Sequence, residues 1–182
     1  MHHTLRTMLM TLLLVLPLAN CGNAEENPRS APSAAAAIGI MTGQRAPDFT
    51  LKDLSGKPFT LSELRGKKPV LLTFWATWCP ACRQTSPLLS DLYRQYGPRG
   101  LELISINIAT NDPLPRVQNF QEVNKMPYRI LYDEKTEVSR AYGVFGIPTS
   151  LLIDREGIIQ YRGNVLPANI SQILDKLLAP AS

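Results

Sequence analysis

Two cysteines three positions apart, Cys79 and Cys82, have the spacing of side chains that can react with each other. They stand where a strand-like apolar run, residues 70–76, gives way to a helix-like segment, residues 81–96. The first turn of a helix carries unpaired N–H groups and the positive end of the helix dipole, and both lower the pKa of a thiol from its ordinary value of about 8.5. We therefore predict that Cys79 is a nucleophilic thiolate.

The second cysteine is placed to close a small ring with the first. Pro80 fits the first position of the helix, where a backbone N–H is not needed, and Cys82 lies one turn further in. That separation is short enough for a disulfide. The pair predicts a reversible two-electron switch, and we expect no cofactor other than the redox-active disulfide Cys79–Cys82.

The composition narrows the kinds of site that the chain can hold. A formal net charge of +4 without a basic cluster gives no indication of nucleic-acid binding. Both histidines, His2 and His3, precede an apolar leader, so a processed protein would contain no histidine. That excludes a Ser-His-Asp triad, a Cys-His pair and a histidine-ligated metal, and we predict no metal site.

The N-terminal residues 1–20 are typical of an export signal. Arg6 precedes an apolar run, residues 8–19, that is too short for a comfortable membrane span of roughly 20 residues. We predict a secretory signal peptide of the lipoprotein type. The alternative is an uncleaved membrane anchor.

The four residues that end at Cys21 resemble a bacterial lipobox, whose cysteine receives a diacylglyceryl group and becomes the first mature residue. Asn20 departs from the Gly, Ala or Ser that usually precedes this cysteine. Lipidation of Cys21 would fasten the protein to a membrane outside the cytosol, and the alternative is that Cys21 is incidental. Residues 21–42 are predicted to be a flexible tether, and residues 43–182 the folded domain.

Strand-like and helix-like segments alternate through the centre of this domain, and a hairpin comes late. The order predicts an α/β fold in which a central mixed β-sheet is flanked by helices on both faces. An early hairpin turns at Gly56, and a helical turn follows at residues 62–64. The predicted strands are 49–51, 59–61, 70–75, 101–108, 127–132, 149–153 and 157–161, and the predicted helices are 81–96, 115–124, 136–142 and 168–178.

The segment after the cysteines is predicted to be a helix because its apolar residues recur at helical spacing. These residues are Leu88, Leu89, Leu92 and Tyr93. Pro87 lies inside the segment, where its missing N–H and its ring predict a kink about one turn past the cysteines.

Three motifs together resemble the thioredoxin superfamily, and within it the membrane-tethered extracytoplasmic thiol-disulfide oxidoreductases of the TlpA and ResA type. They occur in the family's order, and the likeness covers residues 43–179. A lone Cys-x-x-Cys could be half of a zinc site, but a processed protein with a lipidated Cys21 would have no histidine and no third free cysteine to complete one. The motifs are FWATWCPAC at 74–82, YGVFGIPT at 142–149 and LIDREG at 152–157.

The resemblance implies a thioredoxin-like fold with an N-terminal β-hairpin extension. It implies a cis peptide bond before Pro148, which would face the cysteine pair, and a substrate-binding role for the backbone of Ile147. The alternative is a trans proline that merely begins a strand. The other substrate-binding residues implied by the resemblance are Trp78, Pro80 and Thr149.

Two positions depart from the family pattern. Thioredoxins keep a buried aspartate where this chain has Thr73, and ResA-like members carry a glutamate where it has Thr85. Either acid could take the proton that Cys82 must lose before it attacks. The sequence names no acidic base for that step, which leaves water or a distant carboxylate.

Four other side chains near these motifs have simpler interpretations. Trp75 ends an apolar strand and is predicted to lie in the core. Arg83 either stabilises the thiolate or is a solvated side chain on the first turn of the helix. Tyr128 and Tyr132 are predicted to belong to the sheet.

The residues and the resemblance favour an extracytoplasmic thiol-disulfide oxidoreductase that works as a reductant. Cys79 would attack a disulfide in an exported protein, and Cys82 would resolve the mixed disulfide. The resemblance implies substrates such as apocytochrome c and a membrane thiol-disulfide transporter as the electron donor. We expect the protein to be a monomer.

Three alternatives remain. The same fold could run in the opposite direction as an oxidant or isomerase, because Pro80 and Ala81 do not fix the reduction potential. A peroxidase of this fold would carry a threonine and a proline where this chain has Ala76 and Leu72. A copper-binding module could use the two thiols, but the related copper proteins add a distant histidine that the mature chain lacks.

Overall fold

The structure is a computed structural model that describes residues 36–179. The predicted export signal, the predicted lipidation site at Cys21 and residues 21–35 of the predicted tether lie outside the described residues. Within the described range, none of the helices combines the length and the apolar character that crossing a membrane requires.

The strands of the described chain form one mixed sheet. They are β1 (Thr50–Asp53), β2 (Pro58–Thr60), β3 (Val70–Trp75), β4 (Glu102–Asn107), β5 (Arg129–Tyr132), β6 (Thr149–Ile153) and β7 (Ile159–Gly163). Their order across the sheet is β2-β1-β5-β4-β3-β6-β7. Strands β3, β4 and β5 are parallel, and the other neighbours pair antiparallel. This confirms the predicted mixed sheet.

Helices cover both faces of the sheet, as predicted. They are α1 (Pro80–Tyr96), α2 (Leu114–Asn124), α3 (Glu137–Ala141) and α4 (Ile170–Leu178). One hydrophobic cluster contains residues of α1, α2 and α4, and a second contains Val138 of α3. The sheet is therefore buried between two apolar layers, which together form the core.

Strand β3 leads the chain into the cysteine motif. All six of its residues are buried, as a nearly continuous apolar run predicts for a strand covered on both faces. Leu71 and Trp75 belong to the cluster on the α1 side, whereas Leu72 and Phe74 belong to the cluster on the opposite side. A short loop after the carboxyl end of β3 therefore places Cys79 directly before α1 and Cys82 in its first turn.

The early hairpin is confirmed, with β1 and β2 paired antiparallel. The Asp53 carboxylate accepts hydrogen bonds from the backbone N–H groups of Ser55 at 2.9 Å and Lys57 at 3.0 Å. Gly56 adopts a φ of +89°, which glycine tolerates because it has no Cβ. The predicted helical turn follows as a 3₁₀ turn, Leu61–Leu64.

Leu88 departs from the predicted apolar face of α1. Its side chain is 46 % exposed, whereas Leu89 and Leu92 are buried in the cluster on the α1 side. Consecutive residues of a helix are separated by about 100° around its axis, and Leu88 lies outside the stripe that Leu89 and Leu92 bury. Helix α1 runs unbroken through Pro87, and the predicted kink stays a prediction.

The packed chain also includes residues ahead of Gly43, in a stretch that the sequence assigned to the tether. The backbone N–H of Gly39 donates to the carbonyl of Arg45 at 2.9 Å. Arg45 in turn forms a β-bridge with Ile158, in the turn between β6 and β7. Residues 38–42 are therefore held against the folded domain by backbone pairing.

Candidate active site

The cysteine pair lies at the start of α1. Cys79 is the N-cap residue, and Pro80 occupies the first helical position, as predicted. Cys79 and Cys82 form a disulfide with their Cα atoms 5.3 Å apart. The backbone N–H of Cys82 donates to Cys79 Sγ at 3.1 Å. When the disulfide is reduced, this donor and the positive end of the 17-residue helix both favour a thiolate at Cys79.

The loop before β6 lies against the same sulfur atom. The Ile147–Pro148 peptide bond is cis, as the resemblance implied. The carbonyl oxygen of Ile147 lies 3.7 Å from Cys79 Sγ. Asn164 fixes the loop from behind, because its Nδ2 donates to the carbonyl of Pro148 at 2.7 Å. The structure therefore brings Ile147 and Pro148 to the cysteine pair.

Thr149 has a hydroxyl that is engaged within this loop. Its Oγ1 donates to the carbonyl of Gly146 at 2.6 Å and accepts a hydrogen bond from Asn164 Nδ2 at 3.2 Å. The side chain is buried, so its hydroxyl supports the loop that carries Ile147. Its contact with a substrate stays a prediction.

Exposed apolar side chains flank the reactive residues along the chain. Trp78, just before Cys79, is 44 % exposed, and its Nε1 donates to the carbonyl of Thr110 at 2.8 Å. Pro80 is exposed, and Phe145, two residues before Ile147, is fully exposed. Such side chains suit contact with nonpolar segments of another polypeptide. The substrate-binding roles of Trp78 and Pro80 stay predictions.

Asp112 is a supporting residue that the sequence did not reveal. Its carboxylate is fully buried and accepts hydrogen bonds from Thr77 N at 2.7 Å, Thr77 Oγ1 at 2.5 Å and Asn107 Nδ2 at 2.7 Å. Thr77 lies two residues before Cys79. The loop that presents the nucleophile is therefore held by a carboxylate 35 positions further along the chain, a pairing that no local pattern could have indicated.

The remaining sequence predictions around the motif have mixed outcomes. Trp75 is confirmed as a core residue and packs on Phe120 with ring centroids 5.4 Å apart. Tyr132 ends β5, whereas Tyr128 is buried just before that strand. Arg83 is exposed, and the ion pairs among residues 36–179 do not include it. Its position fits a solvated side chain.

The fold and the site together define a class of protein. A disulfide at the N-terminus of a helix, a cis-proline loop 3.7 Å away and a mixed sheet between two helical layers are the features of a thioredoxin-like thiol-disulfide oxidoreductase. A family model described as the AhpC/TSA family matches residues 42–162. The chain belongs to this family of thioredoxin-like proteins.

Individual relatives agree with this assignment. The thiol-disulfide oxidoreductase ResA of Geobacillus thermodenitrificans is 33 % identical over 174 residues, which are 94 % of this chain and 96 % of the relative. The thioredoxin-like protein YneN of Bacillus subtilis is 37 % identical over 141 residues, 76 % of this chain and 81 % of the relative. A solved thiol:disulfide interchange protein of the thioredoxin family from Chlorobium tepidum has a TM-score of 0.64 at 30 % identity, covering 74 % of this chain and 96 % of that one. The predicted fold and enzyme class are confirmed.

Proposed function

We propose that this protein is an extracytoplasmic reductase of disulfides in exported proteins, held at a membrane by a lipid on Cys21. The observation that carries the proposal is the position of the Cys79–Cys82 disulfide. Cys79 stands at a helix N-cap, accepts a hydrogen bond from the N–H of Cys82, and lies 3.7 Å from the carbonyl oxygen of Ile147 in the cis-proline loop. A thiolate stabilised in this way can attack a disulfide that docks along the loop.

In the proposed cycle the reduced protein reacts first through Cys79. The Cys79 thiolate bonds to one sulfur of the substrate disulfide, and the other substrate sulfur leaves with the electron pair and takes a proton from water. The Cys82 thiolate then attacks Cys79 Sγ, which forms the disulfide of the structure and releases the second substrate thiol. The substrate gains two electrons from the cysteine pair and two protons from water, and the pair loses two electrons and gives the proton of Cys82 to water.

The sequence and the relatives support the proposed substrate and location. The apolar run at residues 8–19 and the lipobox-like residues around Cys21 support export and lipidation. Similarity to a ResA oxidoreductase over 94 % of the chain supports the same class of activity. The proposed substrates are disulfides of exported proteins such as apocytochrome c, and a membrane thiol-disulfide transporter would return the electrons. We propose a monomer that needs no metal or separate cofactor.

We expect the Cys79–Cys82 pair to have a reduction potential at or below about −270 mV, the range of dedicated reductants of this fold. The measurement equilibrates the chain carrying Cys21→Ser with defined thiol-disulfide buffers and counts free thiols. The substitution removes the third cysteine, so the thiol count reports the pair alone. The same chain with Cys79→Ser supplies the baseline, because its single remaining thiol cannot form the internal disulfide.

A potential nearer about −120 mV would overturn the proposed direction of electron flow and make the protein an oxidant or isomerase. In that case reduced substrate proteins would gain disulfides when mixed with the oxidised protein. The thioredoxin-like fold and the enzyme class would be unaffected by that outcome, because both directions use the same two sulfur atoms.

Replacing Cys21 by Ser is expected to release the protein from the membrane fraction. A thioether-linked diacylglyceryl group needs the Cys21 sulfur, and serine offers none. The test compares the wild type and Cys21→Ser by fractionation and by incorporation of a labelled fatty acid. Labelling that survives the substitution, or a wild type without label, would contradict lipidation at Cys21.

A peroxidase has weaker support from the site. Ala76 and Leu72, which stand where the thioredoxin-fold peroxidases carry a threonine and a proline, are both fully buried. Neither side chain has a polar group that could bind a peroxide oxygen. The surroundings of Cys79 therefore favour exchange with disulfides.

A further inference from the structure

Three hydroxyl side chains form a row across the middle of the sheet. Thr73 of β3 lies opposite Ser105 of β4 and opposite Ser150 of β6 in the strand register. All three are buried, and they share the face of the sheet on which Leu71, Trp75 and helix α1 pack. The Ser150 hydroxyl donates to Thr73 Oγ1 at 3.2 Å. The Thr73 hydrogen is therefore free to donate to another acceptor.

A small cavity lies between this row and the second cysteine. Its lining includes Thr73, Ser105 and Cys82, and its outer part is formed by Arg83, Thr85 and Ser86 of α1. The volume, about 10 Å³, has room for roughly one water molecule. Arg83 is exposed and Thr85 and Ser86 are half-buried, so this side of the cavity faces the surface, where Arg83, Ser86 and Phe120 also line an open groove.

We propose that the hydroxyl row and this cavity perform the deprotonation of Cys82. In the absence of a neighbouring acid, Thr73 and Ser105 stabilise the Cys82 thiolate through hydrogen bonds to water in the cavity that they line with Cys82, and the same water carries the proton of Cys82 to solvent past Thr85 and Ser86. Cys82 is only 5 % exposed, so without such donors its thiolate would be desolvated and disfavoured. The proposal rests on the assignment of Cys82 as the resolving cysteine.

The step balances without another reactant. The Cys82 S–H bond breaks, its proton passes to water, and its electron pair forms the bond to Cys79 Sγ. The Cys79 bond to the substrate sulfur breaks, and that sulfur leaves with the pair and takes a proton from solvent. No group of the row is consumed or oxidised, so Thr73 and Ser105 act as donors in every turnover.

The charged groups around the cavity do not supply a base in place of the row. The ionisable residues of its lining, apart from Cys82, are Arg83 and Tyr128, and no carboxylate belongs to that lining. The outer groove adds Asp91 and Arg94, which pair with each other at 2.8 Å on the exposed side of α1. Burial raises the pKa of Tyr128, so this phenol is neutral near pH 7. It can donate a hydrogen bond, but it is not a phenolate that could take the proton of Cys82.

The test measures the pKa of Cys82 directly in the chain carrying Cys21→Ser and Cys79→Ser, in which it is the remaining thiol. The rate of alkylation by iodoacetamide is followed from pH 6 to pH 11. Hydrogen bonds to a thiolate lower the pKa of the thiol. Adding Thr73→Val and Ser105→Ala is therefore expected to raise the pKa of Cys82 and to reduce its thiolate fraction at neutral pH about tenfold. Thr73→Ser keeps the hydroxyl and is expected to restore the original profile.

Ser139→Ala is the matched control. Ser139 is also a buried hydroxyl, but it lies on α3, its Oγ donates to Asp133 Oδ2 at 2.5 Å, and it lines neither the cavity nor the outer groove. The control should leave the alkylation profile unchanged. If the variants of Thr73 and Ser105 fold, as judged by circular dichroism, and show the same Cys82 pKa as the control, the proposal is wrong. If Thr73→Val does not fold, the comparison uses Ser105→Ala alone. The measurement uses no substrate, so a failed proposal about electron direction would not affect it.

Discussion

Replacing Cys82 by Ser is expected to leave a substrate protein covalently attached to Cys79. The first attack needs only Cys79, whereas release of the substrate needs a second sulfur, and serine cannot supply it. The trapped species should appear on non-reducing gels as a band that thiol reductants remove. The reaction uses the reduced Cys82→Ser protein and a protein substrate that contains a disulfide.

The matched variant is Cys79→Ser, which keeps Cys82 but loses the sulfur at the helix N-cap. It should form no trapped species, and its disulfide-reducing activity should fall by on the order of 10³-fold or more, as when the nucleophile of a covalent mechanism is lost. If Cys79→Ser trapped substrate and Cys82→Ser did not, the roles of the two cysteines would be reversed. That result would conflict with the 3.1 Å hydrogen bond from Cys82 N to Cys79 Sγ.

Much of this site could be predicted because its signals are local in the chain. The change from an apolar strand pattern to a helical pattern predicts that Cys79 lies at the start of a helix. Pro80, a residue favoured at the first helical position, predicts the same helix start. The hairpin around Gly56 followed from turn chemistry. Each of these features depends on residues that are only a few positions apart in the sequence. Such residues are also close together in space, so a local pattern is enough to predict them.

The features that the sequence missed depend on pairing between distant segments. The register of β3 with β4 and β6 makes neighbours of Thr73, Ser105 and Ser150, but strand order and register are not visible in any one segment. The sequence identifies Thr73 only as a position that lacks the aspartate of thioredoxins. Its hydroxyl neighbours Ser105 and Ser150 are identified by the register of the strands. The pairing of Arg45 with Ile158 likewise depends on backbone hydrogen bonds, which leave no side-chain pattern to detect.

Asp112 is the clearest of these cases, and replacing it by Ala is expected to destabilise the protein by about 3 kcal/mol. The substitution leaves the N–H and hydroxyl of Thr77 and the amide of Asn107 without their acceptor in a buried place. Each unsatisfied buried donor costs roughly 1–3 kcal/mol, offset in part because a buried charge is removed. Chemical denaturation should show the loss, and the thermal midpoint should fall by about 6–12 °C.

Asp91→Ala is the control for this prediction. Asp91 is exposed on α1, and among residues 36–179 its ion-pair partner is Arg94 at the surface, so its loss should change the stability by less than about 0.5 kcal/mol. Asp112→Asn should lie between the two, because its amide oxygen can still accept hydrogen bonds while its NH₂ group faces other donors. Equal stability of Asp112→Ala and Asp91→Ala would show that the Asp112 hydrogen bonds contribute little.

The rate of disulfide exchange in the Asp112→Ala variant shows whether Asp112 only stabilises the fold or also positions Cys79. Thr77 stands two residues before Cys79, and Trp78 between them is tied to Thr110 by its indole N–H. With Thr77 released, this loop would lose its hydrogen bonds to Asp112 and keep the hydrogen bond from Trp78 to Thr110, and the sulfur of Cys79 would move more freely against Ile147. In Asp112→Ala, at a temperature where it is fully folded, resolution of the mixed disulfide should therefore slow several-fold. An unchanged rate in the folded variant would mean that helix α1 alone positions Cys79.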